Sequence, residues 1–163
     1  MLQSFFLLAS LAAAPQTLQA VFVENPPEID GQLTDPAWEE AERTDCTFLQ
    51  FGPDYGEEMT QPTEISILYD ENRIYFGFFL HDPMGDQMVE ALTPRDNYIN
   101  GEWIAVLLDT WGDGREATSF EVSLANSQMD SKINPRGGWD YSWDAVWESG
   151  TARVPGGWTA EIA

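Results

Sequence analysis

The sequence has few basic side chains. Its 163 residues contain seven Lys plus Arg against 28 Asp plus Glu, which gives a formal net charge of -21 at pH 7. A surface this acidic repels phosphate backbones and anionic lipid headgroups, so we expect no nucleic-acid partner. The excess of carboxylates is compatible with two alternatives, attraction of divalent cations or the well-solvated surface of a secreted protein.

Cysteine and histidine each occur once. Cys46 cannot form an intrachain disulfide, so packing must stabilise the fold. Because Cys46 alternates with Phe48 on one face, we interpret it as a small buried apolar side chain rather than a nucleophile. His81 has neither a second His nor a Cys nearby, so a zinc site or a Ser-His-Asp triad finds little support. No pair of carboxylates stands out as a general acid and base, and we predict no catalytic residues.

The sequence also lacks an apolar run long enough to span a bilayer as a stop-transfer helix. Residues 1–20 carry no charged side chain, hold an apolar block at 5–14, and have small residues at Ala14 and Ala20. We interpret 1–20 as a secretory signal peptide, which predicts a secreted, periplasmic or outer-membrane location. The alternative is an apolar N-terminal strand or helix of the fold, since no Lys or Arg precedes the apolar block.

The remaining residues, 21–163, are enough for one domain with a sizeable core. Apolar side chains recur with period two over short runs separated by Gly, Pro, Asn and Asp, which predicts an all-β, two-sheet antiparallel β-sandwich. The last run still alternates where the sequence ends, so we expect a domain truncated at its C-terminus within a longer polypeptide. The candidate strands are 20–23, 46–51, 63–69, 73–81, 88–93, 102–109, 118–125, 129–133, 142–148 and 158–162.

The segment after the leader combines a tight turn at Gly31 with a short helical turn near 35–42. Gly31 permits the positive φ that a sharp turn needs. Thr34 or Asp35 can cap the backbone N–H groups that follow. Trp38 lies on the apolar face of this helical turn, and we expect it to anchor the segment in the core.

The runs 63–69 and 73–81 predict a central β-hairpin. Residues 70–72 join them, and Asn72 tolerates the left-handed conformation that such turns use. Both faces of the second run are apolar, which is unusual for a strand with one solvated side. One face is therefore expected in the core between the sheets, and the other is expected to meet a loop, a ligand or a partner.

Residues 109–115 form a loop rich in Asp and Gly between two candidate strands. Asp109 and Asp113 offer oxygen ligands beside two glycines, which is compatible with a structural calcium ion. Their spacing does not match the helix-flanked calcium loop, and a solvated turn is the alternative.

The order of several short motifs along the chain is informative. They are 29–41, 67–76 with the bend at 81–83, 106–109 with 112–115 and 119–122, 142–148, and 156–163. In this order they resemble a family 9 carbohydrate-binding module, and they cover nearly the whole chain after residue 20. Arg95-Asp96 and the loop 109–115 resemble most the variant of this module at the N-terminus of large bacterial secreted or outer-membrane proteins.

The resemblance implies a β-sandwich that binds a polysaccharide or oligosaccharide without cleaving it, with the C-terminal domain of the same polypeptide as a further partner. The sugar site known in the family is not reproduced. Its sugar-binding Glu aligns with Ala105 and its Arg with Glu121. One of its two stacking Trp residues falls near Tyr98 or Ile99, and the other lies beyond the sequence. The fold therefore does not carry the function with it.

Aromatic side chains are crowded in the second half of the chain. Flat rings stack on the C–H bonds of sugars, and interleaved carboxylates and amides can bond paired hydroxyls. The Gly-Gly pair at 137–138 predicts an exposed loop in which Trp139 or Tyr141 touches a ligand, with packing as the alternative. Trp143 and Trp147 are expected to pack on one strand face. The candidate ligand-binding residues are Trp139, Tyr141, Tyr98, Trp111, Arg95 and Asp96.

Two other functions are compatible with the sequence. The domain can be a structural or interaction domain that precedes an outer-membrane β-barrel and binds no sugar. It can also be the accessory module of a polysaccharide hydrolase whose catalytic part lies further along the chain. The next few hundred residues of the parent protein would discriminate these, since amphipathic ten-residue strands indicate a barrel and a repeating β/α pattern an enzyme.

Overall fold

A computed structural model describes residues 16–97 and 100–163 and places them in two β-sheets. This confirms the predicted all-β sandwich. Residues 1–15 of the predicted signal peptide and the candidate Tyr98 lie outside the described residues. The strands are β1 (Ala20–Phe22), β2 (Thr44–Asp45), β3 (Thr63–Tyr69), β4 (Ile74–His81), β5 (Trp103–Leu108), β6 (Ala117–Ser123), β7 (Gln128–Ile133), β8 (Trp139–Asp140), β9 (Ser149–Val154) and β10 (Gly157–Ile162).

Helical structure is scarce, as predicted. The described chain contains the α-helix α1 (Pro36–Glu40) and a 3-10 turn at Gly85–Gln87. Among the helices of the described residues, none has both the length and the apolar character needed to cross a lipid bilayer.

Sheet I has the strand order β1-β3-β4-β10-β9, with β2 also paired to β3. The pairing of β1 with β3 is parallel, and the other strand pairs are antiparallel. Sheet II has the order β5-β6-β7-β8 and is antiparallel throughout. The predicted hairpin of β3 and β4 is central in sheet I, since β4 also pairs with β10.

Both faces of β4 are covered, as its composition predicted. Phe76 and Phe78 point into the core between the two sheets. Tyr75 points the opposite way, into a second apolar cluster on the outer side of sheet I. This second cluster is formed by Val23, Ala37, Trp38, Ala41, Leu68 and Tyr75. The face of β4 directed away from sheet II therefore meets the loop that contains α1.

Trp38 anchors this loop. Its side chain is 5% exposed and lies against Gly77 of β4, where an added Cβ atom would come within 2.9 Å of the indole ring. The indole Nε1 donates a hydrogen bond to Oε1 of Glu161 on β10 at 2.7 Å. The other carboxylate oxygen of Glu161 accepts the backbone N–H groups of Gly31 at 2.6 Å and Asp30 at 2.9 Å. We call these four residues, Asp30, Gly31, Trp38 and Glu161, the Glu161 clasp.

The turn before α1 has the predicted positive φ at Gly31, +88°. The predicted side-chain cap is wrong at Asp35, which occupies the N-cap position but makes no capping hydrogen bond through its side chain. Pro36 does take the first helical position. Since α1 has only five residues, its place depends on the burial of Trp38 and on the Glu161 clasp rather than on a cap.

The turn between β3 and β4 differs from the prediction in its mechanism. Asn72 is not in the left-handed conformation. Instead, Oδ1 of Asp70 accepts the backbone N–H groups of Asn72 at 2.6 Å and Arg73 at 2.8 Å. These bonds hold the pKa of Asp70 below its usual range, and the Tyr75 hydroxyl donates a further bond to Oδ2 at 2.8 Å.

Three candidate strands are wrong. Residues 88–93 and 142–148 form no strand, and 46–51 makes only one isolated bridge, at Leu49. The structure instead contains β8 and β9, which the sequence pattern did not indicate. Ser149–Val154 has few apolar side chains, and it becomes a strand because it pairs along its whole length with β10.

Cys46 is buried, as predicted. Burial raises the pKa of its thiol, which keeps the group neutral and unreactive. Phe48, expected on the same buried face, is instead exposed, because the chain leaves sheet I after β2.

Candidate functional site

The side chains of sheet II alternate between the core and the opposite, outward side. Val106 of β5 and Val122 of β6 point into the core. Their neighbours Ala105 and Glu121 pair across the two strands and point outward, and Glu121 pairs in turn with Met129 of β7. We call the outward side chains of sheet II the outer face: Trp103, Ala105, Leu107, Ser119, Glu121, Met129, Ser131, Ile133, Trp139 and, just after β8, Tyr141.

Large apolar side chains on the outer face are open to solvent. Trp103 and Leu107 on β5 are about half exposed, and so are Trp139 and Tyr141 beside β7. Small residues, among them Ser119 and Ser131, lie between these two edges and are buried. Apolar side chains grouped on an exposed sheet face are typical of a binding surface, since a folded chain otherwise covers them.

Trp139 and Tyr141 form a parallel aromatic pair. Their ring planes are inclined by 13° and their centroids lie 6.1 Å apart, which is a stacked arrangement. Trp139 is positioned by the pairing of β8 with Ile133, and Tyr141 follows two residues later on the same side. Their side chains are 45% and 46% exposed. About half of each side chain is therefore open to solvent.

Glu121 supplies a polar group between the two aromatic edges. Its carboxyl is buried, which raises its pKa, and it accepts a hydrogen bond from the Ser119 hydroxyl at 3.0 Å. The pKa of Tyr141 is also raised, chiefly by burial and then by the nearby charge of Glu121. The Ser131 hydroxyl is buried and has no hydrogen-bond partner among the described residues. The outer face thus has unused polar capacity beside its aromatic pair.

Arg95 and Asp96 are placed in a loop beside β7. The guanidinium of Arg95 pairs with the fully buried Asp130 and also donates to the Gln128 side chain. Asp96 accepts the backbone N–H of Asp130 at 3.3 Å. These contacts fasten the loop to sheet II, so the observed roles of both residues are structural. A ligand-binding role for them stays a prediction.

The same network holds the irregular segment 142–148. Arg95 donates to the carbonyl of Ala145 at 3.1 Å and lies 5.9 Å from the Trp147 ring. Trp147 donates through Nε1 to Asp130 at 2.7 Å and meets Phe120 edge to face. The expected packing role of Trp147 is thus observed, although on a segment held by side chains rather than on a strand.

The loop 109–115 is held together by its own aspartates. The carboxylate of Asp109 accepts the backbone N–H groups of Trp111 at 3.1 Å, Gly112 at 2.7 Å and Gly114 at 2.7 Å, which lowers its pKa. Asp113 accepts the N–H of Arg115 at 2.8 Å. Within 16–97 and 100–163, no group of three or more His, Cys, Asp or Glu side chains is placed to hold a metal ion. A calcium ion at Asp109 and Asp113 stays a prediction.

Two solved structures share this architecture. Both are a family 9 carbohydrate-binding module from Caldicellulosiruptor kristjanssonii, one in complex with cellotriose and one with glucose. The cellotriose complex has a TM-score of 0.59 and 16% identity, and the match covers 88% of this chain and 66% of that one. The glucose complex has a TM-score of 0.58 and 17% identity, with 88% and 67% covered.

This chain has the fold of a family 9 carbohydrate-binding module. The resemblance inferred from the sequence is thereby confirmed at the level of the fold. No protein-family model matches the sequence, and no curated protein does. The chain spans about two thirds of the length of the two modules, so the activity and partners of a whole protein do not follow from the comparison.

The module fold brings together only part of the predicted site. Trp139 and Tyr141 lie side by side, whereas Trp111 is on the separate loop 109–115. The prediction did not include Trp103 and Glu121, which share the outer face with the aromatic pair. The alternation of Trp103, Ala105 and Leu107 was the available signal, since it places an indole on the outward side of β5.

Proposed function

We propose that this domain binds oligosaccharides on its outer face without cleaving them. The observation that carries the proposal is the parallel, half-exposed pair of Trp139 and Tyr141. Sugar rings present flat C–H surfaces that pack on aromatic faces, and the half-exposed rings of Trp139 and Tyr141 offer such faces next to each other. The solved modules of the same fold are complexes with cellotriose and glucose, which supports this class of ligand.

The carboxyl of Glu121 is a polar group on the same face as the aromatic pair. It keeps accepting capacity beyond its bond with Ser119, whereas the Ser131 hydroxyl is fully buried and is not presented to a ligand. The sugar-binding Glu and Arg of the resembled family align with Ala105 and Glu121 of this sequence, so the contacts to sugar hydroxyls must be arranged differently here. The net charge of -21 favours neutral glycans over acidic ones.

The proposed setting is an N-terminal domain of a larger secreted or cell-envelope protein. Support comes from the uncharged, apolar residues 1–20 and from the motifs shared with the bacterial variant of the module. Removal of the leader is checked by N-terminal sequencing of the protein after expression with export. A mature N-terminus after Ala14 or Ala20 is expected, and retention of Met1 would contradict the assignment.

Replacing Trp139 or Tyr141 by alanine is expected to weaken glycan binding about tenfold or more, because a central aromatic contact is lost. The measurement is isothermal titration of the domain with cello-oligosaccharides, glucose and soluble xylan, with and without calcium. Tyr55→Ala is the matched control, since Tyr55 is an exposed aromatic on the loop between β2 and β3, two strands of sheet I.

Two outcomes would contradict the proposal. Equal affinity of the Trp139 and Tyr141 variants and the wild type would place the site elsewhere. No heat with any of these glycans, from a domain shown to be folded, would favour the structural role in an envelope protein instead.

A further inference from the structure

A separate groove lies at the loop end of sheet II. It has a volume of about 490 Å³ and opens between the loop 109–116 and the turn 134–138. Thr118, Lys132 and Asp140 form one row across β6, β7 and β8 along its floor. By strand alternation, this row points to the side of sheet II opposite Trp139 and Tyr141. We call this concavity the loop-end groove.

Two indoles line the loop-end groove. Trp111 is 79% exposed, which is unusual for a side chain of this size and apolar area. Its loop is nevertheless well defined, since three backbone N–H groups are bonded to the Asp109 carboxylate. Trp143 is partly buried and meets Phe120 edge to face, with ring centroids 6.2 Å apart. A ring presented in advance in this way lowers the entropic cost of binding a ligand.

Lys132 is the single lysine of the sequence. Its ammonium lies 4.9 Å from the centre of the Trp143 ring and makes no ion pair within the described chain. Four of the six arginines, in contrast, are paired with carboxylates: Arg43, Arg73, Arg95 and Arg153. The one lysine of a strongly acidic chain therefore lies over an aromatic ring in a groove. Its ammonium N–H groups are not used in an ion pair within the described chain.

The remaining polar lining groups are hydroxyls, an amide and carboxylates. Thr110 and Thr118 contribute hydroxyls, and Glu116 contributes an exposed carboxylate. Asp140 uses Oδ1 for the backbone N–H and the hydroxyl of Ser142, at 3.0 and 2.6 Å, and keeps Oδ2 available. Lys132 and Asp140 are paired across β7 and β8 and suit two neighbouring sugar hydroxyls. One hydroxyl would accept from the ammonium, and the other would donate to the carboxylate.

We propose that the loop-end groove is a second saccharide-binding site, in which a neutral sugar packs on Trp111 and its hydroxyls bond to Lys132 and Asp140. This inference rests on the proposed function for its class of ligand, but its three contact residues, Trp111, Lys132 and Asp140, do not belong to the outer face. Acidic sugars are disfavoured, because Glu116 and Asp140 line the groove and the chain is strongly negative.

The test is ¹⁹F NMR of the domain labelled with 5-fluorotryptophan and titrated with cellohexaose, and separately with xylohexaose. The seven tryptophans report on their own surroundings, and the signals of Trp111 and Trp139 are assigned from their alanine variants. We expect both signals to shift saturably in the wild type, each with its own Kd. In Trp139→Ala, the Trp111 signal should still shift.

The decisive variant is Lys132→Met, which keeps the length of the side chain and removes its charge. We expect the Kd read at Trp111 to rise about tenfold and the Kd read at Trp139 to stay unchanged. Arg136→Met is the matched control, because Arg136 carries the same charge in the adjoining turn but does not line the groove. No change of either Kd is expected for this control.

The possible failures are distinguishable. A Trp111 signal that stays fixed while that of Trp139 shifts would overturn the second site and leave the proposed function intact. A Trp111 signal that shifts while that of Trp139 stays fixed would support the loop-end groove and overturn the outer face. Two fixed signals in a folded domain would overturn both. A Trp111 signal that saturates at lower concentration with a glucuronic-acid-substituted xylo-oligosaccharide than with xylohexaose would overturn the neutral class of ligand.

Discussion

Replacing Trp38 by alanine is expected to lower the free energy of unfolding by about 3–5 kcal/mol, the range found for large aromatic side chains removed from a core. The indole is buried between Gly77 and the second apolar cluster, so its removal leaves a cavity on the outer side of sheet I. It also removes the hydrogen bond from Nε1 to the buried Glu161. The measurement is urea denaturation followed by far-ultraviolet circular dichroism.

Two further variants separate the contributions to this effect. Trp38→Phe keeps most of the apolar volume but cannot donate to Glu161, so we expect a loss of roughly 1–3 kcal/mol from the unpaired acceptor and the smaller ring. Trp111→Ala removes the same side chain from an exposed position, and we expect less than about 0.5 kcal/mol. A Trp38→Ala domain as stable as the Trp111→Ala domain would show that the indole is not an anchor.

The stability of the domain is expected to fall as the pH rises through the titration of Glu161. Burial raises the pKa of this carboxyl from 4.5 to about 7, and the hydrogen bonds from Gly31 and Trp38 only partly oppose it. Because the folded pKa lies above the unfolded one, the folded state holds more protons between these two values. The protonated Glu161 carboxyl therefore adds to the free energy of unfolding. This contribution, roughly 3 kcal/mol, is complete below about pH 4.5 and is lost by about pH 7.

The Glu161→Gln variant tests this dependence, since its amide has the same shape and does not titrate. Urea denaturation of both proteins at about pH 5 and about pH 8 gives the difference in unfolding free energy at each pH. We expect the wild type to lose stability relative to the variant as the pH is raised. If the difference in unfolding free energy between the two proteins were the same at both pH values, Glu161 would not titrate in this range, whatever the absolute stability of the variant.

Local features of the sequence predicted much of the fold. The hairpin of β3 and β4 follows from period-two alternation and a short polar connection, and Gly31 marks a turn that needs a positive φ. Trp38 was recognised as an anchor from its place on a short helical face. These signals depend on neighbours within a few residues, which is why they are visible without the structure.

The segment 142–148 shows where such signals fail. Trp143, Ala145 and Trp147 alternate as in a strand, yet the segment makes no ladder and is held by Arg95 and Asp130. Nothing in the local pattern indicates these partners, because they lie far away in the sequence. For β9 the error is the opposite one, a strand that the sequence pattern did not predict. Its residues have little strand character, and its pairing with β10 decides its conformation.

The candidate site was predicted to a similar extent. The exposure of Trp139 and Tyr141 followed from the two glycines before them, and the structure adds that the rings are parallel. Arg95 is a predicted ligand-binding residue because it lies among the crowded aromatic side chains of the sequence. Its charge is instead matched by the fully buried Asp130, a contact that only the packing of the loop on β7 reveals.

The position of β10 in sheet I governs when the protein can fold during its synthesis. β10 follows the other strands in the sequence, yet it lies between β4 and β9 and carries the carboxylate of the Glu161 clasp. A nascent chain that has not reached Gly157 leaves one edge of β4 unpaired and the segment around α1 unfastened, which exposes apolar surface to aggregation. Completion of this fold therefore waits for the synthesis of β10, and until then the open edge of β4 is the surface that a chaperone would have to shield.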